Sequence, residues 1–181
     1  MKTMMELNKI PGGHISDKGT LHGYLPIYDE LFAPYRMKKI NFFEVGFWRG
    51  ASMKLMELYF PEAIIKYVDS DKSQTLNMQF QFDDPRTILE YKDSRTLTVE
   101  YFADFSPDIA IDDGSHYVDD QIHFIQTVLP VVKPGGLLII EDIQNIDASF
   151  VQFNHLKLPY DLIDLRAFTG RYDDVLLIFR K

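Results

Sequence analysis

Short apolar runs, rich in β-branched and aromatic residues, alternate up to residue 142 with stretches in which apolar residues recur at helical spacing. The runs span 40–45, 63–69, 87–91, 107–112 and 136–142. Each is almost continuously apolar, as is typical of parallel strands that are covered by helices on both faces. The alternation therefore predicts β-α-β units that build a parallel sheet.

The stretches between the runs predict helices near 51–60, 72–80, 96–103 and 117–130. The last of these is the most clearly marked, because its apolar residues follow a helical period. Lys133-Pro134-Gly135-Gly136 ends this helix before the next strand, since proline and glycine do not continue a helix.

The last part of the chain follows a different pattern. Two apolar segments, YDLIDLRAF and VLLIFRK, flank the polar turn TGRYDD, and this predicts an antiparallel hairpin. The segment before it, 144–160, carries Phe150 and Phe153, which either stack on a ligand above the site or pack as the core of a loop. Five parallel strands and a hairpin predict an α/β fold, a Rossmann-like doubly wound sheet of seven strands with helices on both faces.

The chain is long enough for one compact domain with a full core, since nearly half of its 181 residues are apolar. We therefore predict a single domain over 1–181. In this prediction 1–39 is a helical and loop segment that covers the site, and 40–181 is the Rossmann-like core.

Composition narrows the classes of partner. The net charge of −8 disfavours nucleic acid, because binding to phosphates depends on clustered Lys and Arg. The absence of cysteine excludes a disulfide framework, a zinc–thiolate site and a cysteine nucleophile. No apolar run is long enough to span a membrane, and Glu6 and Asn8 interrupt the region where a secretory signal would lie. We expect a cytoplasmic protein whose partners are small molecules or glycans, with a homo-oligomer left open.

A glycine-containing turn follows the first strand. In EVGFWRG, Gly46 and Gly50 permit a sharp strand-to-helix turn and close approach of the backbone to a cofactor. The glycines stand four apart, so the GxGxxG dinucleotide fingerprint is not matched. The segment is similar to the E/D-x-G-x-G-x-G motif of class I methyltransferases that depend on S-adenosylmethionine (SAM), with Trp48 at the middle glycine. Glu44, Gly46, Trp48 and Gly50 are cofactor-binding candidates, although such turns also occur without a cofactor.

Two further acids follow the next strands. Asp69 ends the second strand, where an acid can accept both hydroxyls of an adenosine ribose. Asp71 is the alternative, and either residue could instead cap a helix. By the resemblance to class I methyltransferases, Asp93 would lie near the adenine.

Four carboxylates should meet at the ends of the fourth and fifth strands. Asp112 and Asp113 stand in DDGSH, and Glu141 and Asp142 stand in IIED. Neighbouring strands are about 4.8 Å apart, so these acids must point apart, be protonated or hold a cation such as Mg²⁺. Acids also collect at strand ends for structural reasons, but four acids beside His116 favour a site.

DDGSH, KPGG and IIED together resemble the metal-dependent sugar O-methyltransferases that act on macrolide deoxysugars, over about 40–142. SDKGTLHGY (16–24), with Tyr28 after it, is similar to segments that precede the core in that wider group. Tyr24 and Tyr28 either cover the cofactor or pack as a helix, and His22 is a candidate to line the site.

The resemblance implies SAM as the cofactor and a divalent metal, Mg²⁺, held by Asp113, Glu141 and Asp142. His116 would be the general base, and we count Asp112 with the cofactor-binding candidates. An aliphatic hydroxyl is a weak acid, so a metal that polarises it and an imidazole that accepts its proton share the work.

The sequence thus predicts a SAM-dependent O-methyltransferase that acts on the hydroxyl of a sugar-like or other small-molecule acceptor. Catechol-type enzymes resemble this pattern but place a lysine where His116 stands, which favours a sugar-like hydroxyl over a phenol. Two alternatives of other classes remain, a nicotinamide-dependent oxidoreductase and a non-catalytic module that binds SAM or a partner.

Overall fold

The computed structural model describes residues 1–73 and 83–181. A short antiparallel pair, β1 (Lys9–Ile10) and β2 (Gly13–His14), lies near the N-terminus. The strands that follow are β3 (Asn41–Val45), β4 (Ile64–Asp69), β5 (Thr87–Tyr91), β6 (Ile109–Asp112), β7 (Leu137–Ile140), β8 (Asp161–Asp164) and β9 (Val175–Arg180).

Among the described residues these seven strands form one sheet in the order β5-β4-β3-β6-β7-β9-β8. The strands from β3 to β7 pair in parallel, and β9 runs antiparallel to both β7 and β8. The structure therefore confirms the predicted fold class, a parallel sheet closed by an antiparallel hairpin. The order reverses between β3 and β6, and ligands bind at such a switch point.

The helices are α1 (Met4–Leu7), α2 (Tyr24–Phe32), α3 (Ala51–Tyr59), α4 (Val118–Val128), α5 (Ile146–His155) and α6 (Arg166–Thr169). The helices predicted near 51–60 and 117–130 are confirmed as α3 and α4. Apart from its first two residues, the helix predicted near 72–80 lies outside the described residues. No helix in the described part of the chain is long and apolar enough to cross a membrane.

The prediction of a helix over 96–103 is wrong. Two 3-10 helices, Ser94–Thr96 and Val99–Phe102, occupy this stretch, and Leu97 and Thr98 between them have extended backbone. The β-branched side chains of this stretch disfavour a continuous α-helix because they crowd the preceding turn.

Helix α5 falls in the segment 144–160, for which the sequence predicted no helix. Phe153 of α5 is fully buried, and Phe150 packs partly buried against the same cluster. Of the two alternatives for these aromatic residues, packing is therefore the one observed. Ile146, Phe150 and Phe153 have the spacing of one helix face, and this was the signal in the sequence.

The sheet separates two apolar layers. Phe42 belongs to the layer beneath α2 and α3, and its neighbour Phe43 belongs to the layer beneath α4 and α5, as the alternation of a strand requires. The aromatic residues of α2, among them Tyr24, Tyr28 and Phe32, are fully buried in the first layer. This packing fixes the N-terminal segment on the sheet and brings the loop that precedes α2 to the carboxyl ends of the strands.

Candidate active site

A cavity of about 720 Å³ opens at the carboxyl ends of β3, β4 and β6. The predicted site residues that line it are Gly46, Trp48, Asp69, Asp71, Asp93, Asp113, His116 and Asp142. Lys18 and His22 from the N-terminal segment and Arg171 and Tyr172 from the β8–β9 connection complete its wall. The remaining predicted residues, Glu44, Gly50, Asp112 and Glu141, do not line the cavity.

Asp69 holds the turn after β3. Its Oδ2 accepts hydrogen bonds from the backbone N–H groups of Phe47, at 2.7 Å, and Trp48, at 3.1 Å. Its Oδ1 accepts one from the N–H of Asp71, at 2.8 Å. Trp48 stands in the turn with a left-handed φ of 42° and its side chain is 54% exposed. Asp69 thus shapes the cavity wall, and Asp71 is exposed two residues further on.

Only glycine fits at position 46, because the turn after β3 and the turn after β6 approach each other closely there. The φ of Gly46 is +94°, and a Cβ built there would lie 1.9 Å from the carbonyl oxygen of Asp113. The N–H of Asp113 in turn donates to the carbonyl oxygen of Val45. The sequence predicted that the space at Gly46 serves the cofactor, whereas in the structure the backbone of Asp113 occupies this space.

We therefore expect Gly46→Ala to destabilise the protein itself, by about 4 kcal/mol or more, because the clash is with backbone that cannot move aside. Gly135→Ala is the matched control, since Gly135 also has a positive φ, of +77°, but no atom of the described residues lies within 4 Å of its Cβ position. It should lose only about 1–2 kcal/mol through the left-handed backbone. Urea unfolding measures both free energies, and equal losses would contradict the close approach.

Asp93 stands in the cavity wall, but its carboxylate is engaged by Arg95. Its two oxygens accept from the backbone N–H of Arg95 at 2.9 Å and from the guanidinium at 2.6 Å. The hydrogen bonds from the Arg95 side chain lower the pKa of Asp93 to about 2. The proposed contact of Asp93 with adenine stays a prediction.

A lysine that the sequence argument did not single out stands among the acids. The Nζ of Lys18 lies 2.5 Å from Asp113 Oδ2, 2.6 Å from Glu141 Oε2 and 3.5 Å from Glu44 Oε1. We call Glu44, Asp113 and Glu141 the inner cluster. Burial opposes the charge on Lys18, but the three carboxylates raise its pKa well above its usual range. The excess of acids in the sequence indicated that a cation lies among them. The ammonium of Lys18, in the segment SDKG, is such a cation.

Glu44 lies below the cavity, not in its wall. Its oxygens accept from Ser52 Oγ at 2.9 Å and from the Tyr67 hydroxyl at 2.8 Å. Burial raises the pKa of Glu44 to about 7, and burial likewise raises that of Asp112 to about 7. Asp112 accepts from the N–H of Gly114 and supports the turn that carries Asp113. Both residues were predicted to contact the cofactor, and the structure gives them positions beneath the site.

Side chains of helix α2 and of the residues before it contact the carboxylates of Glu141 and Asp142, the two acids that follow β7. The Tyr28 hydroxyl donates to Glu141 Oε1 at 2.5 Å, and the Tyr24 hydroxyl donates to Asp142 Oδ1 at 2.6 Å. His22 Nδ1 lies 3.3 Å from the same oxygen of Asp142. Both tyrosines therefore pack as a helix and also hold the carboxylates.

Asp113, His116 and Asp142 form a second group, which we call the outer group. One potential ligand atom from each lies within 4.8 Å of the other two, and the same is true of the inner cluster. His116 Nε2 lies 4.0 Å from Asp142 Oδ2. Its Nδ1 is buried and, among the described residues, has no hydrogen-bond partner. Burial and the neighbouring charge of Asp113 raise the pKa of Asp142, although His22, His116 and the hydrogen bond from Tyr24 act in the opposite direction.

The outer group fits a hard divalent ion. Its two aspartates line the cavity, and Mg²⁺ is commonly held by one or two carboxylates together with oxygen atoms of water or substrate. The three predicted ligands are divided between the two groups, because Asp142 belongs to the outer group, Glu141 to the inner cluster and Asp113 to both.

No family model matches the chain. Demethylmacrocin O-methyltransferase of Streptomyces fradiae is 30% identical over 148 residues, which cover 76% of this chain and 36% of that protein. 8-Demethyl-8-alpha-L-rhamnosyl tetracenomycin-C 2'-O-methyltransferase of Streptomyces olivaceus is 31% identical over 142 residues, which cover 72% of this chain and 36% of that protein.

Mycinamicin VI 2''-O-methyltransferase of Micromonospora griseorubida is 30% identical over 147 residues, with 76% of this chain and 36% of that protein covered. Among solved structures, the MycE methyltransferase of mycinamycin biosynthesis, in complex with Mg and SAH, has a TM-score of 0.69 at 22% identity. The match covers 99% of this chain and 55% of that chain, and establishes the shared fold.

The chain spans about a third of the length of the curated proteins that it matches, since the aligned residues cover 36% of each of the three. In this chain the turn after β3 and the acids after β6 and β7 lie at the carboxyl ends of parallel strands. The chain is a relative of the sugar O-methyltransferases of macrolide and polyketide biosynthesis and has their Rossmann-like methyltransferase fold.

Proposed function

We propose that the chain is a SAM-dependent O-methyltransferase that modifies a hydroxyl of a sugar-like or other small-molecule acceptor, with a divalent ion at the outer group and His116 as general base. The observation that carries the proposal is the convergence of Asp113, His116 and Asp142 at the edge of a cavity that also contains the Gly46 turn. A net charge of −8 and an acidic cavity favour such an acceptor over nucleic acid.

SAM, when bound, supplies a methyl group on a sulfonium that an oxygen nucleophile can attack in line. The cavity of about 720 Å³ falls within the usual range for small-molecule sites, about 300–1,000 Å³. We place the cofactor along the turn after β3, between Trp48 and the acids that follow β4. Asp71 Oδ1 also accepts from a backbone N–H, that of Ser73. We assign the ribose hydroxyls to Asp71 first because its side chain is exposed at the cavity, whereas Asp69 is partly buried and holds the turn after β3.

This assignment predicts different effects for two neighbouring substitutions. Asp71→Ala should weaken binding of SAM and S-adenosylhomocysteine alike by about 1.5–3 kcal/mol through the loss of charge-assisted hydrogen bonds, with a smaller loss of stability than in Asp69→Ala. Asp69→Ala should weaken binding and also lower the free energy of unfolding, because the Phe47–Trp48 turn loses its acceptor. Calorimetry and urea unfolding separate the two. Weakened binding in Asp69→Ala without any loss of stability would return the ribose to Asp69.

A divalent ion held by Asp113 and Asp142 would polarise the acceptor hydroxyl and lower the cost of deprotonating it. The carboxylate of Asp142 is held in position for this role, because Tyr24 and His22 both contact its Oδ1. Its Oδ2 faces His116. Solved structures of the MycE methyltransferase, which shares this fold, carry Mg together with SAH, and this supports a divalent ion beside the cofactor here.

His116 accepts the proton from the acceptor hydroxyl. Its Nε2 faces the carboxylate of Asp142, which stabilises the imidazolium as the ring takes up the proton. His116 lines the cavity near the end of the loop that joins β6 to α4, where its φ is 60°. A single imidazole nitrogen cannot both ligate a metal and accept a proton, so we assign His116 to proton transfer and the two aspartates to the ion.

The acceptor enters past two exposed aromatic residues. Tyr117, next to His116, and Tyr172, in the β8–β9 connection, line the cavity, and they are 72% and 67% exposed. Aromatic faces stack on the apolar faces of sugars, which agrees with the glycosylated substrates in the relatives' names. We propose a sugar-like acceptor for this reason.

Calorimetric titration with SAM, S-adenosylhomocysteine and NAD is the first test, followed by methyl transfer from labelled SAM to deoxysugar glycosides with and without Mg²⁺. Binding of both methyl-donor forms and metal-stimulated transfer are expected. Binding of NAD with none of SAM would favour the oxidoreductase instead, and SAM binding without transfer to any hydroxyl acceptor would favour a non-catalytic module.

A further inference from the structure

The inner cluster is already filled by a protein cation. The Lys18 ammonium has three hydrogens and three carboxylates around it, with Asp113 and Glu141 at hydrogen-bond distance. Its side chain is 3% exposed. A divalent ion in the same space would have to displace this ammonium or lie directly against it, and like charges repel strongly away from water.

The backbone around Lys18 holds the ammonium in place. The N–H of Lys18 donates to Ser16 Oγ, and the backbone of Ser16 is bound on both sides by the buried side chain of Asn8. A Cβ at Gly19 would lie 2.4 Å from the Leu25 side chain, so the loop is packed closely on α2. Lys18 therefore cannot withdraw without disturbing the packed segment around it.

The other oxygens of the inner cluster are engaged as well. Glu141 Oε1 accepts from Tyr28 while its Oε2 accepts from Lys18, and Glu44 accepts from Ser52 and Tyr67. The side chain of Glu141 is 1% exposed, against 26% for Asp113. Asp113 belongs to both groups and is the more exposed of the two acids, so it connects the inner cluster to the outer group.

We propose that Lys18 is a positioning residue, the fixed cation of the inner cluster, so that Glu141 holds the lysine and the divalent ion is confined to Asp113 and Asp142. The proposal rests on the proposed function for the existence of the ion. It departs from the ligand set that the sequence resemblance implied, in which Glu141 is a metal ligand. Lys18 would also orient Asp113 toward the cavity and tie the N-terminal segment to the site.

Mn²⁺ binding to the whole chain, followed by calorimetry and by the electron paramagnetic resonance signal of the free ion, tests this without any turnover. Asp142→Asn should weaken Mn²⁺ binding by about 10-fold or more, whereas Glu141→Gln should weaken it far less. Glu57→Gln is the matched control, because Glu57 is a buried glutamate paired with Lys54 outside the site. Equal losses for Glu141→Gln and Asp142→Asn would overturn the proposal.

Removing the lysine gives the opposite result. Lys18→Met keeps the length of the side chain and empties the inner cluster of its cation, so Mn²⁺ should bind about 10-fold more tightly. That gain should vanish in Lys18→Met/Glu141→Gln, because Glu141 becomes a ligand only when the lysine is gone. Unchanged affinity in a folded Lys18→Met protein would overturn the proposal, and if this variant does not fold the comparison of Glu141→Gln with Asp142→Asn decides alone.

The same measurements separate this inference from the proposed function. If the wild-type chain binds no Mn²⁺ while Lys18→Met binds it through Glu141, the metal in the proposed function is wrong but Lys18 is the cation of the inner cluster. If neither protein binds Mn²⁺, Lys18 excludes no ion and the inference is overturned as well.

Discussion

Replacing His116 by alanine is expected to slow methyl transfer by about 10²- to 10⁴-fold, the usual contribution of a positioned general base, equivalent to about 3–5 kcal/mol of barrier. SAM binding should be nearly unchanged, because His116 stands at the acceptor side of the cavity and Asp71 at the other. Single-turnover kinetics with labelled SAM measure the chemical step directly, and calorimetry measures the binding.

The left-handed backbone at His116 calls for a second substitution. Alanine at a φ of 60° is strained, whereas asparagine tolerates this conformation, so His116→Asn should fold as well as the wild type and remain slow. Added imidazole should restore part of the rate in His116→Ala, since it can accept the proton in place of the ring. His155→Ala, at the exposed end of α5, is the control and should be fully active. A normal rate in His116→Asn would remove the base from the proposed mechanism.

The strands and the acids at their ends could be predicted from the sequence for one physical reason. A buried parallel strand needs a continuous apolar run, and the residue that follows the run must lie at the carboxyl edge of the sheet. Asp69, Asp113 and Asp142 were placed at this edge by counting along the chain, and the pairing of β6 with β7 brings the last two close together.

The contacts that come from elsewhere in the chain could not be predicted in this way. Lys18 reaches Asp113 and Glu141 across 95 and 123 residues of sequence, and no local period encodes how the N-terminal segment docks. The roles of Asp69 and Gly46 were missed for a related reason. Each makes backbone contacts that depend on how two turns meet, and residue type alone does not distinguish such contacts from contacts with a cofactor.

Asp142→Asn is expected to abolish stimulation of methyl transfer by Mg²⁺ or Mn²⁺ while the fold is kept. The asparagine has the same size and tolerates the left-handed φ of 53° at this position, and its carbonyl oxygen can still accept from Tyr24. It lacks the charge that a hard cation requires from a site of only two carboxylates. The rate is measured over a range of Mg²⁺ concentrations, with the unfolding free energy as the test of folding.

Chelation with EDTA should have the same effect on the wild-type chain and almost none on Asp142→Asn, because a metal that no longer binds cannot be removed. Asp147→Asn, on α5, changes the net charge by the same amount away from the cavity and should respond to Mg²⁺ and EDTA as the wild type does. If EDTA leaves the wild-type rate unchanged, the ion has no part in the reaction. The outer group would then act through its protein groups alone, with Asp142 orienting His116 and His116 deprotonating the acceptor unaided.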